Sequence, residues 1–345
     1  MKIVVMSTMV PFVHGGAEEL YHHLLLNLNA TPGVSAEGFR LPFTWDPAER
    51  LIDEMLICRH IRLSNVDRVI SLKFPAYLVP WHNKVIWLLH QYRQAYDLLE
   101  VNQSNIPDTK RGHEILSAIK INDNIAFSEA ARIHTIAPTV SERLKRFNGF
   151  SSEVLRHPLN DPEIFTGGNN DGYILATGRI NASKRQHLLV EALRYAPGVK
   201  LIIAGPPDTP ADGERLLRLA HENRVDDRVK LDLRFLPRND IATLVNNSAA
   251  VAYIPYDEDS IGYCTMEALQ AQKPLLTVTD AGGVLDIIRH RDTGLVVSPD
   301  PEKLGKAMLS FVQNPSLTAQ MGKAGAAAMR SAQLNWPNTI ERLLS

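Results

Sequence analysis

The chain has 345 residues, with 37 Lys and Arg against 38 Asp and Glu and a formal net charge of −1. A hydrophobic fraction of 45% and a charged fraction of 22% exclude a largely disordered chain. The balance of charge gives no electrostatic footprint for nucleic acid. The length allows about two domains, each large enough to bury its own core. No apolar run approaches the ~20 residues of a bilayer-spanning helix. Met1-Lys2-Ile3-Val4-Val5 enters a strand pattern directly, so no secretory leader is expected. Two cysteines, Cys58 and Cys264, suit a reducing compartment. The expected location is the cytoplasm.

In chain order, Lys2–Ser7 reads as a strand, followed by a glycine-containing loop from Pro11 to Gly16 and a helix over Ala17–Leu28. Arg68–Leu72 and Val85–Leu89 are buried-strand candidates, Glu142–Phe147 a helix and Glu153–Arg156 a short strand before His157-Pro158. Between Asn160 and Gly172 the texture changes to Asp-Pro, Gly-Gly and Asn-Asn with no apolar period, which marks a boundary. A second alternating series follows. Its strands are Tyr173–Thr177, Lys200–Ala204, Val229–Leu233, Ala249–Ile254, Pro274–Val278 and Leu295–Val297. Its helices are Gln186–Tyr195, Gly213–Glu222, Asp240–Asn247, Cys264–Ala271, Leu285–Arg289, Glu302–Phe311 and Leu317–Ser331. Strands alternating with helices give an α/β fold with parallel sheets covered on both faces. The expectation is therefore two Rossmann-like, doubly wound domains facing across a cleft: residues 1–160, a linker at 161–172, and residues 173–331. Ligands of such sheets sit at the carboxyl ends of the strands.

The most informative stretch is Asp257–Pro274, where a strand ends, an acidic loop turns at Gly262 and a helix begins. Amides near Tyr263, Cys264 and Thr265 would open that helix and suit a phosphate, with Gly262 permitting close approach of the backbone. Asp259 and Glu267 flank this anion site, and carboxylates there fit sugar and ribose hydroxyls better than phosphates. The bland alternative is an ordinary helix with acidic residues near its positive end. A second stretch, Thr177-Gly178-Arg179-Ile180-Asn181-Ala182-Ser183-Lys184-Arg185, follows a strand at the same edge. Arg179 and Lys184 can turn toward one point and stabilise a departing diphosphate, each supplying roughly 2.7–4 kcal/mol; a solvated basic turn is the alternative. Gly205-Pro206-Pro207 and Thr279-Asp280-Ala281-Gly282-Gly283 end other strands on that side, as His14-Gly15-Gly16 and His90 do in the first half.

Asp257-Glu258-Asp259 spells D-x-D, a metal-diphosphate pattern, but the basic pair already serves that charge, so no metal site is expected. The remaining histidines show no zinc spacing. The absence of G-x-G-x-x-G after the first strand, of G-x-x-x-x-G-K-[ST] and of G-x-S-x-G disfavours dinucleotide enzymes, P-loop NTPases and α/β-hydrolases.

Taken together, Pro11–Glu19, Gly178–Arg185, Asp259–Ala268 and Thr279–Gly283 resemble the retaining GT-B glycosyltransferases of the family 4 type. The resemblance implies that Arg179 and Lys184 bind a donor diphosphate, Asp259 the donor sugar and Glu267 the ribose. It also implies that His90 approaches the sugar, that Gly15-Gly16 lies between donor and acceptor, and that residues 332–345 form a terminal helix crossing back to the first domain. Transfer would run from a nucleotide-sugar to a hydroxyl of a glycan, lipid-linked or small-molecule acceptor. Configuration would be retained by a front-face route, with no cofactor, no metal and no protein nucleophile. Asp259 stands where Glu is common in that family, and His157-Pro158-Leu159 where an Asn-Gly turn is frequent. A nucleotide-sugar epimerase and a non-catalytic binding subunit on the same architecture are the alternatives. A basic–apolar face of Arg132, Arg143, Lys145 and Arg146 with Leu144, Phe147 and Phe150 offers peripheral membrane contact; an ordinary solvated helix is the preferred reading of it.

Overall fold

A computed structural model describes residues 1–345 and divides them into two compact units, Met1–Pro158 with Asn335–Ser345, and Leu159–Leu334. The first unit holds β1 (Lys2–Met9), β2 (Ser35–Pro42), β3 (Arg68–Ser71), β4 (Lys84–Leu88), β5 (Arg132–Thr135) and β6 (Glu153–Val154). They form one six-stranded parallel sheet in the order β2-β1-β3-β4-β5-β6. All of β4 and nearly all of β3 are buried, as expected of central parallel strands covered on both faces. Here Lys84 is buried too, its ammonium taken up by the Tyr77 and Val79 carbonyls and by Glu129 at 3.2 Å. The helix Gly16–Asn29 buries Leu20, Tyr21, Leu24 and Leu28, one stripe at helical spacing.

The second unit holds β7 (Tyr173–Thr177), β8 (Lys200–Ala204), β9 (Val229–Asp232), β10 (Ala250–Ala252), β11 (Leu275–Val278) and β12 (Gly294–Val297). Its sheet is again six-stranded and parallel, in the order β12-β11-β10-β7-β8-β9. The order reverses at β7, which lies between β8 and β10. That reversal is where loops diverge and a ligand is admitted.

The two α/β units bear out the two alternating series read from the sequence, with additions. The strands β2 and β5 and the helices Arg50–His60 and Lys110–Ser128 lie outside the expected elements. β2 is an edge strand with one buried residue, so its sequence carries almost no alternation. Residues 161–172 are not a separate linker but part of the second unit. Phe165 is 1% exposed in that unit's core, and Asn246 brackets the segment through the Ile164 carbonyl and the Gly167 amide. One buried aromatic anchors a stretch that has no periodicity to announce it.

The basic–apolar face is not assembled on the surface. Leu144 is fully buried and Phe147 and Phe150 pack on the first core, while Arg143 and Arg146 pair with Asp97 and Glu100. Arg132 instead opens β5 and donates to the Ser345 hydroxyl. No helix is long and apolar enough to cross a membrane.

The terminal helix Trp336–Leu344 is capped by the Asn335 side chain and buries Trp336, Ile340 and Leu343 in the first core. Arg342 pairs with Glu153 of β6, and Arg68 of β3 donates to the Leu343 carbonyl at 2.8 Å. Leu343→Ala is expected to destabilise the first unit by about 2–5 kcal/mol, read from denaturant unfolding.

Candidate functional site

The carboxyl edge of the second sheet gathers four loops around the reversal at β7. The loop after β7 meets the loop after β8 backbone to backbone. A Cβ on Gly205 would lie 2.2 Å from the Gly178 carbonyl oxygen, and Gly205 has φ +147°, so only glycine fits there. On its other side Gly178 faces Cys264, whose Sγ donates to the Thr177 carbonyl. Burial, then the charge of Glu267, pushes the Cys264 thiol up to about 12, so it stays protonated and is no nucleophile.

The loops after β10 and β11 are knitted together. Asp257 and Glu258 donate their amides to the carbonyls of Asp280 and Ala281, and Gly283 donates to Glu258 at 2.7 Å. A Cβ on Gly282 or Gly283 would strike the backbone of Glu258 or Asp259–Ser260 within 3 Å. Arg185 fastens the β7 loop to the same assembly through the Ile254 and Pro255 carbonyls and a two-pronged pair with Asp280 at 2.7 and 2.9 Å.

Lys184 sits inside this frame. Its ammonium donates to the Tyr253 hydroxyl at 2.9 Å and pairs with Glu258, and the Tyr253 hydroxyl donates to the same carboxylate at 2.9 Å. Burial, then Glu258, drives the Tyr253 phenol far above its ordinary range, with the charge of Arg179 pulling the other way. Arg179 is therefore electrostatically near, yet its guanidinium leans to the neighbouring loop and pairs with Asp208 at 3.2 Å. Asn181 braces the same carboxylate at 2.8 Å. The two cations expected at one point thus start from one loop, each held by a different carboxylate.

Gly262 (φ +74°) precedes the helix Tyr263–Gln270, with no side chain capping it, and a Cβ there would lie 2.8 Å from the Tyr253 ring. The first bond closing the helix runs from the Met266 amide to the Gly262 carbonyl at 3.3 Å. The first-turn amides, those of Tyr263, Cys264 and Thr265, must find their acceptors outside the helix. Thr265 itself is fully buried, and its hydroxyl has no partner among protein groups. Asp259 is half-buried beside Gly283.

Glu267 is 4% exposed and is held by Arg238, the first residue of the helix Arg238–Asn247. Arg238 also donates to the Asn160 carbonyl at 2.8 Å, pairs with Asp161 at 3.4 Å, and lies 4.9 Å over the Phe165 ring. Arg238, Glu258, Tyr253 and Asp208 were not read as functional from the sequence. Each depends on a partner from another strand's loop, so spacing along the chain does not reveal its role, although Glu258 lies within the D-x-D and Asp208 just after Gly205-Pro206-Pro207.

His90, Gly15 and Gly16 belong to the first unit, at the carboxyl edges of β4 and β1. His90 donates from Nδ1 to the Gln91 carbonyl at 2.7 Å, which leaves Nε2 as the accepting nitrogen of the neutral ring. The adjacent Gln91 side chain donates to Asn148, Asn148 donates to the Tyr96 hydroxyl at 3.3 Å, and Tyr96 donates to Asp123 at 2.8 Å. Tyr77 donates to the other Asp123 oxygen. Gly15 is extended and precedes the helix Gly16–Asn29, with Glu18 in its first turn bound by Lys73 at 3.2 Å. No group of three or more His, Cys, Asp and Glu side chains is arranged to hold a metal ion; within Asp257-Glu258-Asp259 the central carboxylate is taken by Lys184 and Tyr253.

The arrangement defines a class: two parallel α/β units of the GT-B type, with a glycine-opened loop and helix start at the reversal point of the second. The family described as Glycosyl transferases group 1 matches residues 161–328, nearly all of the second unit. It is 30% identical over 207 residues to the D-inositol 3-phosphate glycosyltransferase of Mycolicibacterium paratuberculosis, a match covering 55% of this chain and 45% of that protein. The chain spans less than half the length of the first curated relatives it matches, between 28% and 45%. Among solved structures it resembles a sucrose-phosphate synthase from Thermosynechococcus elongatus, with TM-score 0.77, 15% identity, and coverage of 99% of this chain and 97% of that one. It also resembles HepE of Anabaena in complex with UDP and glucose, with TM-score 0.70, 16% identity, and coverage of 99% and 98%.

Two outcomes follow from the geometry. Arg238→Ala leaves a buried carboxylate without its cation and should cost about 1–3 kcal/mol, with a less than additive loss when combined with Glu267→Leu in denaturant unfolding. Asp123 is pushed up to about 7 by burial, against the opposing hydrogen bonds from Tyr96 and Tyr77. The stability it contributes is complete below its ordinary 3.8 and is lost as pH rises through about 7. Asp123→Asn should flatten the unfolding free energy over that window.

Proposed function

We propose that the protein transfers a sugar from a nucleotide-sugar donor to an acceptor hydroxyl with retention of configuration. The observation that carries this reading is the placement of Lys184 beside the glycine-opened helix start at Gly262–Thr265, at the reversal of a parallel sheet. An ammonium and outward amides at one point suit a diphosphate, whose charge grows as its glycosidic bond breaks. Lys184 exchanges Glu258 for the phosphate, and Arg179 exchanges Asp208, so both cations enter with their positions already set by the loops. The diphosphate charge is thereby met without a resident metal. Glu267, fixed by Arg238, accepts from the ribose hydroxyls, and Asp259 accepts from the sugar. The glycines at 205, 282 and 283 let the four loops close on one another around that ligand.

In this scheme the bond from the anomeric carbon to the phosphate oxygen breaks, and the acceptor oxygen attacks from the same face. The acceptor proton passes to the departing phosphate. No side chain forms a covalent bond; the Cys264 thiol, the nearest candidate, is held protonated. His90, with Nε2 accepting, serves the sugar from the first unit, together with Gly15 and Gly16. The acceptor is a hydroxyl of a glycan, a lipid-linked sugar or a small polyol; the inositol phosphate in the relative's name belongs to the last class.

Lys184→Ala and Glu267→Ala should each lower kcat by about 10²–10³ with far-ultraviolet circular dichroism unchanged. Wild-type turnover in both variants refutes the site. A thermal-shift series of UDP-, GDP-, ADP- and dTDP-sugars identifies the donor, since a ligand that binds only the folded state raises Tm. Conversion of the donor sugar without any acceptor would instead show an epimerase.

A further inference from the structure

The opposite, amino-terminal edge of the second sheet holds a cavity of about 370 Å³ that the transfer reaction does not use. Its walls are the segment 166–170, the chain entering β10 and β11, and the start of the helix Pro315–Ser331. Pro315, Thr318, Ala319 and Lys323 line it from one face of that helix. The helix lies close against the strand entry because Gly322 has no side chain; a Cβ there would lie 1.9 Å from the Gln272 carbonyl oxygen.

The charge of this cavity is one-sided. Lys273 and Lys323 line it, and no Asp or Glu does. Lys273 is 8% exposed, and its ammonium reaches only the Gly168 and Asn169 carbonyls, both at 3.5 Å, the outer limit of a hydrogen bond. Burial lowers its pKa, and the nearby charge of Asp171 offsets part of that. A buried ammonium with two long contacts is poorly compensated, because desolvating a charge is costly unless a close counter-charge replaces water. Lys323 is exposed at the mouth. The helix opens there without a capping side chain, so its dipole adds to the same sign.

We propose that this cavity binds the phosphate group of a small phosphorylated metabolite, with Lys273 as the buried counter-charge and Lys323 closing over the anion. The volume exceeds what phosphate alone fills and leaves room for a compact polar body, which Asn170 and Ser248 would meet. The site stands apart from the donor loops, so it holds whether or not the transferase reading does.

Isothermal titration calorimetry tests it, with inorganic phosphate, a hexose 6-phosphate and the unphosphorylated hexose at matched ionic strength. Saturable binding of the phosphate ester is expected, with none for the free hexose. Lys323→Glu, at an exposed position, should weaken it about tenfold or more, one such factor being about 1.4 kcal/mol. Lys273→Met should abolish it. Lys184→Ala separates this site from the donor loops and should leave the binding unchanged. Absence of saturable binding to the wild type overturns the proposal. Binding that survives Lys323→Glu but disappears in Lys184→Ala overturns it equally. Tight inorganic phosphate with no gain from the hexose ester would remove the metabolite and leave the free anion as the ligand.

Discussion

The carboxyl edge of the second unit depends on one contact, the ammonium of Lys184 against Tyr253 and Glu258. It joins the loop after β7 to the loop after β10, the two strands that meet where the sheet order reverses. The phenol is buried, so the three groups polarise one another in a medium where an unpaired charge is expensive. Glycines line the loops around this contact. Gly262 must pass over the Tyr253 ring, Gly282 and Gly283 must pass the Glu258 loop, and Gly205 must pass Gly178, each at a distance that forbids a Cβ. The ammonium is therefore fixed in place by the phenol and the carboxylate.

Much of this was legible in the sequence. The alternation of strands and helices is carried by fully buried parallel strands such as Tyr173–Thr177 and Leu275–Val278, whose apolar runs are bounded by turn residues. The glycine next to the helix start at Gly262 was legible as a turn, because only its positive φ lets the backbone pass the Tyr253 ring. Edge elements were not legible. β2 is exposed along most of its length and β5 has four residues, so neither writes a pattern.

Long-range partners were not legible either. Lys184 and Arg179 stand five residues apart, which puts them in one loop but does not say which carboxylate each will find. Asp208 and Glu258 come from strands on opposite sides of β7, so the pairings are set by sheet order, a property no local window contains. The Arg238–Glu267 pair is a stronger case. It links the loop after β9 to the helix after β10 and closes over Phe165, in a segment whose composition alone reads as a spacer. Turn formers gave the segment no period, and one aromatic side chain, Phe165, ties it to the second unit.

Phosphorus-31 NMR of UDP added to the wild type and to Lys184→Met tests the central claim most directly, since it observes the phosphates themselves. The account predicts a β-phosphorus resonance shifted on binding to the wild type, and a loss of most of that shift in the variant. An equal shift in both proteins would contradict it, because the diphosphate would then rest on groups other than this cation.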